Sequence, residues 1–272
     1  MSGGGVASRP DPWEALILRD EAGGLGREEF RGEPAPPSGA LVVLGAAGGV
    51  GATMVACGIA LALADGAESV GLIEFDFARG DLAGAWGIPP DRTIDDLAPV
   101  VGELERHHVE LVAHRHAANV SLLLRPAGPS HADVWDRPAT ARLLDRARAL
   151  GAVVVDGGCA RGAHVEEACA QAGRVVIVAA QTITGARRTR SLIDQLRSLG
   201  VSAELHVVAN RGVGRDHLGG RSFASAVGHA VIVELPRCDR DADDLGTGHR
   251  PGRRRRSLTS AIDAIVAAVR AA

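Results

Sequence analysis

The segment around residue 50 carries the residue types of a phosphate-binding loop. An apolar run, Leu41–Leu44, is followed by Gly45-Ala46-Ala47-Gly48-Gly49-Val50-Gly51-Ala52-Thr53 and then by a stretch rich in Ala and Leu. This order predicts a strand, a glycine-rich turn and the start of a helix. Glycine allows backbone N–H groups to turn inward, and a helix N-terminus favours an anion. All 30 basic residues are arginine, so no lysine is present to neutralise phosphates.

The spacing of the glycines is compatible with a second kind of ligand. Gly45-x-x-Gly48-x-x-Gly51 resembles the dinucleotide fingerprint of Rossmann oxidoreductases, in which an acidic residue that closes the second strand holds a ribose hydroxyl. Glu74 and Asp76 stand at that position, after the apolar run Val70–Ile73. A glycine fingerprint is a weak signal by itself. An NAD(P)-dependent oxidoreductase is therefore one alternative, and the remaining elements must decide.

The chain after residue 38 alternates between short apolar runs and longer amphipathic runs. Predicted strands are 40–45, 70–75, 119–124, 152–156, 174–179, 204–209 and 230–234. Predicted helices are 52–64, 138–150, 163–171, 184–199 and 257–271, with one further helix within 97–112. Helices between short, wholly apolar strands cover both faces of a parallel sheet. We therefore predict a doubly wound α/β fold with a mostly parallel sheet, in which the glycine-rich loop follows the first strand.

Composition divides the chain at about residue 38 and excludes several classes of protein. Residues 1–38 are rich in Gly, Pro and acidic residues and predict a disordered or linker arm, whereas residues 39–272 predict one α/β domain. A net charge of −3 gives no global attraction to nucleic acid, and the four cysteines show no CxxC pair. No run has the apolar length of a signal peptide or a membrane span, so we expect a cytoplasmic protein. The four histidines between 107 and 116 are expected at a solvated helix end rather than at a metal.

Several motifs follow one another in the order found in the MinD/ParA family of P-loop ATPases, which they resemble. The family's deviant Walker A pattern, Lys-Gly-Gly-x-Gly-Lys-Thr, is similar to Ala47–Thr53, and its second strand, ending in Asp-x-Asp, is similar to Val70–Asp76. The other similar segments are Phe77–Leu82, Ala152–Asp156, Val207–Arg211 and Glu234–Pro236. The resemblance spans residues 39–272. Within the family, the ending Gly-Val-Gly-Ala-Thr resembles the CpaE/TadZ branch and the actinobacterial septum-site-determining, CpaE-like proteins.

This resemblance implies a nucleotide-binding domain that uses ATP and Mg²⁺. The implied nucleotide-binding residues are Gly48, Gly49, Val50, Gly51, Ala52, Thr53, Asn210, Arg211 and Pro236. Thr53, Glu74 and Asp156 would hold Mg²⁺, and Asp76 would be the catalytic residue that polarises water. The family further implies a homodimer that serves Tad (Flp) pilus, secretion or septum-site placement. Such a dimer would be recruited to the pole, the septum or the inner membrane surface.

Two substitutions in the loop weaken the implied chemistry. Ala47 replaces the family's signature lysine and Ala52 its loop lysine, so both cations that neutralise the phosphates are missing. Because charge on the leaving oxygens grows in the transition state, their loss impairs hydrolysis more than binding, and we expect at most a weak ATPase. Arg79, Arg161 and Arg215 are candidate replacements from neighbouring loops. A nucleotide-independent scaffold on the same fold is a further alternative.

The C-terminal region combines a basic run with an apolar stripe. Arg253–Arg256 can meet phosphates of DNA or of an anionic membrane, or can start a helix as a solvated cluster. Leu258, Ile262, Ile265 and Val269 recur at helical spacing. Because the opposite face carries little charge, we predict that this helix packs on the sheet rather than on a membrane.

Overall fold

The computed structural model describes residues 39–66, 68–89, 91–116, 119–128, 132–159, 161–211, 217–252 and 257–271. The predicted arm 1–38, the Arg253–Arg256 run and Arg215 lie outside these ranges. What the sequence predicts for them therefore stays a prediction.

The described residues form one sheet of eight strands with aliphatic central strands. The strands are β1 (Leu41–Gly45), β2 (Val70–Glu74), β3 (His114–His116), β4 (Val120–Leu123), β5 (Ala152–Asp156), β6 (Arg174–Ala180), β7 (Glu204–Asn210) and β8 (Val231–Leu235). Their order is β3-β4-β2-β5-β1-β6-β7-β8, and only β3 with β4 pairs antiparallel. Every residue of β1 and β2 is buried, as expected for Val- and Leu-rich strands of a parallel sheet covered on both faces.

Helices alternate with these strands along the described chain. They are α1 (Ala52–Asp65), α2 (Leu82–Ala85), α3 (Arg106–Val112), α4 (Arg137–Ala147), α5 (Ala163–Gln171), α6 (Ile183–Ser198), α7 (Gly220–Val227), α8 (Asp239–Gly246) and α9 (Leu258–Ala271). Further 3₁₀ segments lie at Ile94–Glu103, Ala132–Val134 and Arg148–Leu150. This alternation confirms the predicted α/β class. Among the described helices, none combines the length and the apolar character that crossing a bilayer requires.

Alternate residues of the central strands enter two apolar cores, one on each face of the sheet. Val42 and Leu44 of β1 belong to the core that α3 to α7 cover. Leu41 and Val43 belong to the core that α1, α8 and α9 cover. The apolar stripe of α9, which includes Ile262, is buried in this second core. The prediction that the last helix packs within the domain is confirmed.

The strand order contradicts the dinucleotide-binding alternative. In that fold the order is 3-2-1-4-5-6, so the second strand pairs directly with the first. Here β5 separates them, because Asp156 pairs in register with Val43 of β1 on one side and with Glu74 of β2 on the other. The prediction of a Rossmann oxidoreductase is therefore wrong at the level of the fold.

The predicted single helix within 97–112 is divided into two segments. Pro99 lies inside the 3₁₀ segment Ile94–Glu103, and proline lacks the N–H group that an α-helix needs. Leu104 then adopts an extended conformation with φ −60° and ψ 122°, so α3 begins anew at Arg106. Local backbone chemistry, rather than the apolar pattern, decides this part of the chain.

Two of the histidines expected at a solvated helix end lie on β3 instead. His114 is buried, with Nε2 2.7 Å from the Arg92 carbonyl oxygen. The ring of His116 packs against Trp86 with centroids 4.8 Å apart. The sequence did not predict this edge strand, because His-Arg-His carries no apolar alternation. Within the described residues, no three His, Cys, Asp or Glu side chains group as a metal site.

Candidate functional site

The glycine-rich loop, residues 46–51, joins β1 to α1 at the carboxyl edge of the sheet. Gly49 and Gly51 have φ values of 71° and 90°, a left-handed conformation that favours glycine. Ala46 N–H fixes the start of the loop by donating to the Val178 carbonyl of β6 at 2.9 Å. A Cβ on Gly49 would meet no atom within 4 Å. The loop is therefore open to solvent at Gly49.

The first turn of α1 presents backbone N–H groups without a side-chain cap. Gly51 is the N-cap, and the first turn contains no acidic residue. The first four N–H groups of a helix lack acceptors within it, and the aligned peptide dipoles make this end positive. This helix start can therefore accept a phosphate.

Buried Asp156 and half-buried Thr53 form a polar pair beside the loop. Oδ1 of Asp156 accepts a hydrogen bond from Gly158 N–H at 2.9 Å, whereas Oδ2 is buried without a hydrogen-bond partner among the described residues. Burial raises the pKa of Asp156 to about 6, although hydrogen bonding by Thr53 and Gly158 opposes the rise. A buried carboxylate oxygen without a donor, next to a hydroxyl, fits a hard cation such as Mg²⁺.

Asp76 reaches the same centre from the loop after β2. Its side chain is buried, and its Oδ1 accepts a hydrogen bond from Arg79 N–H at 3.0 Å. Its Oδ2 occupies the space that a Cβ on Gly158 would need. The negative charge of Asp76 contributes to the raised pKa of Asp156. The structure thus brings together Thr53, Asp76 and Asp156, which the sequence analysis singled out.

Gly158→Ala is expected to lower the free energy of unfolding by about 1–3 kcal/mol. Gly158 has a left-handed φ of 50°, and its new Cβ would overlap the Asp76 carboxylate. Urea denaturation measures the change. Gly102→Ala is the control, because a Cβ there would meet nothing within 4 Å. Equal stability of the G158A variant and the wild type would show that Asp76 is not held against Gly158.

Glu74, a predicted metal ligand, is engaged elsewhere. Its Oε1 accepts a hydrogen bond from Leu82 N–H at 2.9 Å, and its Oε2 accepts one from Arg125 N–H at 3.1 Å. Burial raises the pKa of Glu74 to about 7 in spite of these two hydrogen bonds. Arg125 also donates from Nη1 to the Gly80 carbonyl at 2.7 Å. The Glu74 carboxylate therefore ties the loop after β2 to the end of β4, and both its oxygens are occupied.

Two of the three candidate lysine replacements lie in the described residues, and both contact Cys159. Arg79 Nη1 donates to Cys159 Sγ at 3.1 Å and lies 3.2 Å from the place that a Cβ on Gly48 would take. Arg161 Nη1 donates to the Cys159 carbonyl at 3.3 Å. The Arg79 guanidinium thus lies against the glycine-rich loop. Cys159 was not predicted as a site residue, although its place just after the carboxyl end of β5 was a usable signal.

Asn210, at the end of β7, holds the loop through its side chain. Its Nδ2 donates to the Val50 carbonyl at 2.9 Å. Arg211 N–H donates to the Leu235 carbonyl at 3.2 Å, which joins the ends of β7 and β8, and half-buried Pro236 follows directly. The three residues predicted near the base therefore lie at the same edge of the sheet as the loop.

Gln181, which was not predicted from the sequence, lies at this edge beside Glu234 of the segment Glu234–Pro236. Gln181 follows β6 and is 1% exposed, and its Nε2 donates to Glu234 Oε2 at 3.1 Å while its Oε1 is buried without a partner among the described residues. Arg211 Nη1 lies 4.0 Å from Glu234 Oε2. A polar residue directly after an apolar strand, at the edge where α/β sheets bind ligands, was the available signal.

Comparison with known proteins identifies the fold. No family model and no curated protein sequence matches the chain. A ParA family ATPase from Chlorobium tepidum TLS gives a TM-score of 0.74 at 14% identity, over 85% of this chain and 99% of that chain. The cell division ATPase MinD of Pyrococcus furiosus gives 0.71 at 17% identity, over 86% and 99%. The septum site-determining protein MinD of Pyrococcus horikoshii OT3, complexed with Mg-ADP, gives 0.68 at 15% identity, over 85% and 95%.

These similarities confirm the predicted architecture, which is the α/β fold of the ParA and MinD ATPases. At 14–17% sequence identity, these similarities establish the fold alone. The CpaE/TadZ branch, the nucleotide and the roles of individual residues stay predictions.

Proposed function

We propose that this chain is a nucleotide-binding positioning factor of the ParA/MinD type. The observation that carries the proposal is the pair of half-buried Thr53 and buried Asp156 beside a glycine-rich loop that is exposed at Gly48 and Gly49. Backbone donors for phosphates, an uncapped helix start and two oxygen ligands for a divalent cation occur together at one sheet edge. Together they suit a nucleoside triphosphate with Mg²⁺ better than an empty scaffold.

The residues of the site have distinct proposed tasks. The backbone of Gly48, Gly49, Val50, Gly51, Ala52 and Thr53 binds the phosphates, while Asn210, Arg211 and Pro236 border the base. The Thr53 hydroxyl and the Asp156 carboxylate hold Mg²⁺, which supplies charge compensation on the phosphates when bound. Asp76, fixed by Arg79 N–H, orients the attacking water. Glu74 fixes the loop that carries Asp76, because both its oxygens accept backbone hydrogen bonds.

Hydrolysis at this site is expected to be slow. Ala47 and Ala52 present methyl groups where related ATPases carry lysines. Removing one preorganised electrostatic donor typically lowers a rate by about 100- to 1,000-fold. Ground-state binding suffers less, because the phosphates carry less charge on the leaving oxygens before the transition state. We therefore propose a nucleotide-dependent switch and at most a weak ATPase.

The proposed output of the switch is a homodimer that recruits other proteins. Similar structures include a MinC:MinD cell division complex from Aquifex aeolicus, with a TM-score of 0.65 at 18% identity, and an ATP complex of a McdA variant from Cyanothece, with 0.62 at 17%. By analogy and by its resemblance to CpaE/TadZ, this chain would serve Tad (Flp) pilus, secretion or septal proteins. Placement at the pole, septum or inner membrane surface belongs to the same proposal, as does contact of Arg253–Arg256 with DNA or anionic lipid.

Isothermal titration calorimetry tests the proposal. ATP with Mg²⁺ is expected to bind and to shift the protein from monomer to dimer in light scattering. NADPH is expected not to bind, because the strand order is not that of a dinucleotide-binding fold. A protein that binds neither ATP nor ADP would favour the nucleotide-independent scaffold and overturn the proposal.

A further inference from the structure

The Arg79 guanidinium lies at the open side of the glycine-rich loop. Nη1 donates to Cys159 Sγ at 3.1 Å and lies 3.2 Å from the place of a Cβ on Gly48. The side chain is exposed, and no ion pair joins it to a carboxylate in the part of the chain that the structure describes. A thiol sulfur is a weak acceptor. A phosphate oxygen would therefore replace it as the partner of Arg79 with a gain in free energy.

The backbone around Arg79 is held while its side chain remains accessible. Arg79 N–H donates to Asp76 Oδ1 at 3.0 Å, and Gly80 N–H donates to the Asp76 carbonyl at 2.7 Å. Arg125 Nη1 donates to the Gly80 carbonyl at 2.7 Å, and Glu74 Oε2 accepts from Arg125 N–H at 3.1 Å. Glu74 and Arg125 thus act as positioning residues for this loop. Because the backbone at Arg79 is already held in place, less conformational entropy is lost when the guanidinium binds a ligand.

The carboxylates of Glu74 and Asp76 are held by other contacts and form no ion pair with the Arg79 guanidinium. Both oxygens of Glu74 accept backbone hydrogen bonds, from Leu82 and Arg125. One oxygen of Asp76 accepts Arg79's own N–H, and the other lies against Gly158. The guanidinium therefore remains directed at the loop.

We infer that Arg79 supplies to the nucleotide phosphates the positive charge that Ala47 and Ala52 cannot supply. This inference rests on the proposed function and adds to it a phosphate-binding residue from outside the Walker-type loop. A guanidinium keeps its charge at all relevant pH values and can bind two phosphate oxygens at once. The arginine side chain is long enough to reach the glycine-rich loop from the loop after β2. The glycine-rich loop itself contains no lysine. The positive side chain that binds the phosphates would thus come from the loop after β2 and not from the glycine-rich loop.

The inference predicts that Arg79→Ala weakens MgATP binding by about 10- to 100-fold, the loss expected for a charge-assisted hydrogen bond. Titration calorimetry of the full chain measures the affinity. Arg79→Lys should keep part of it, because the charge remains while the paired contact is lost. Arg190→Ala is the matched control, since it removes an exposed arginine of α6 and should leave the affinity unchanged.

A second variant distinguishes a charge effect from a structural one. Adding Ala52→Lys to Arg79→Ala should restore MgATP affinity to within a few-fold of the wild type, because the cation returns from the loop itself. Circular dichroism should show the native fold in the Arg79→Ala variant, since the Arg79 side chain is exposed and its backbone contacts persist. The double variant is compared in the presence of MgATP, because Ala52 is buried.

The outcomes separate this inference from the proposed function. If the wild type binds MgATP and Arg79→Ala binds it equally well or more tightly, the inference is overturned and the proposed function stands. Tighter binding would mean that Arg79 obstructs the loop. If the wild type binds no nucleotide at all, the proposed function and this inference fail together.

Discussion

Ala52→Lys is expected to raise the rate of ATP hydrolysis by about 100- to 1,000-fold. Ala52 is the first residue of α1, at the helix end where we propose that the phosphates bind. A lysine there would place a positive charge beside oxygens whose negative charge grows in the transition state. It would therefore stabilise the transition state more than the bound ground state. Phosphate release at saturating MgATP measures the rate.

The same substitution is expected to lower stability in the absence of nucleotide. Ala52 is only 7% exposed, so an ammonium group there loses hydration and opposes the positive end of the helix dipole. MgATP should restore the stability, because a ligand that binds only the native state raises the free energy of unfolding. Thermal unfolding with and without MgATP should therefore show a larger shift for A52K than for the wild type.

Gln195→Lys provides the control for added charge. Gln195 is exposed on α6, so a lysine there should change neither the turnover nor the shift produced by MgATP. An A52K protein that gains neither turnover nor a larger thermal shift would contradict phosphate binding at this loop. A larger thermal shift without faster turnover would support phosphate binding at the loop. It would also show that a catalytic group other than the lysine is missing.

The sheet and the position of the loop could be predicted from the order of the motifs. Asp156 and Asn210 each end a strand with a clear apolar pattern, and Thr53 lies in the first turn of α1. Parallel strands place their carboxyl ends at one edge of the sheet. The glycine spacing alone could not exclude a dinucleotide site, because it resembles the glycine patterns of both folds. The register of Asp156 between Val43 and Glu74 resolves that choice, and such pairing across the sheet is not written in local sequence.

The directions of individual side chains could not be predicted in the same way. Glu74 faces the Leu82 and Arg125 N–H groups because the loop after β2 folds back over it, and Gly80 leaves no room for a Cβ beside its carboxylate. The same loop path carries Arg79 to the glycine-rich loop. Both arrangements depend on contacts between distant segments. The sequence could therefore offer Arg79 only as one of three candidates.

Asp156→Asn is expected to raise the free energy of unfolding at pH 8 by about 1–3 kcal/mol. Burial raises the pKa of Asp156 from an ordinary value of 3.8 to about 6, so the native state binds this proton more tightly than the unfolded chain. The stability of the wild type therefore falls as the pH rises from about 4 to about 6, and this loss is complete above about pH 7. Asparagine avoids it, because its side chain is neutral and can still accept from Gly158 N–H.

The more stable D156N protein is expected to be the poorer nucleotide binder. Without the carboxylate, the Mg²⁺-dependent part of ATP affinity should fall by about 10- to 100-fold. Urea denaturation at about pH 4 and about pH 8 should show a stability gain only at the higher pH, while titration with and without Mg²⁺ measures the loss of binding. Asp194→Asn on the exposed face of α6 is the control and should change neither quantity.

If D156N is less stable than the wild type at pH 8, the Asp156 carboxylate has compensating partners. If its ATP affinity keeps the wild-type dependence on Mg²⁺, the cation binds elsewhere. Because the two measurements move in opposite directions, a general loss of structure cannot imitate the expected result. Under the proposed function, the Asp156 charge lowers the stability of the nucleotide-free fold and holds Mg²⁺ when the nucleotide binds, and this one variant measures both effects.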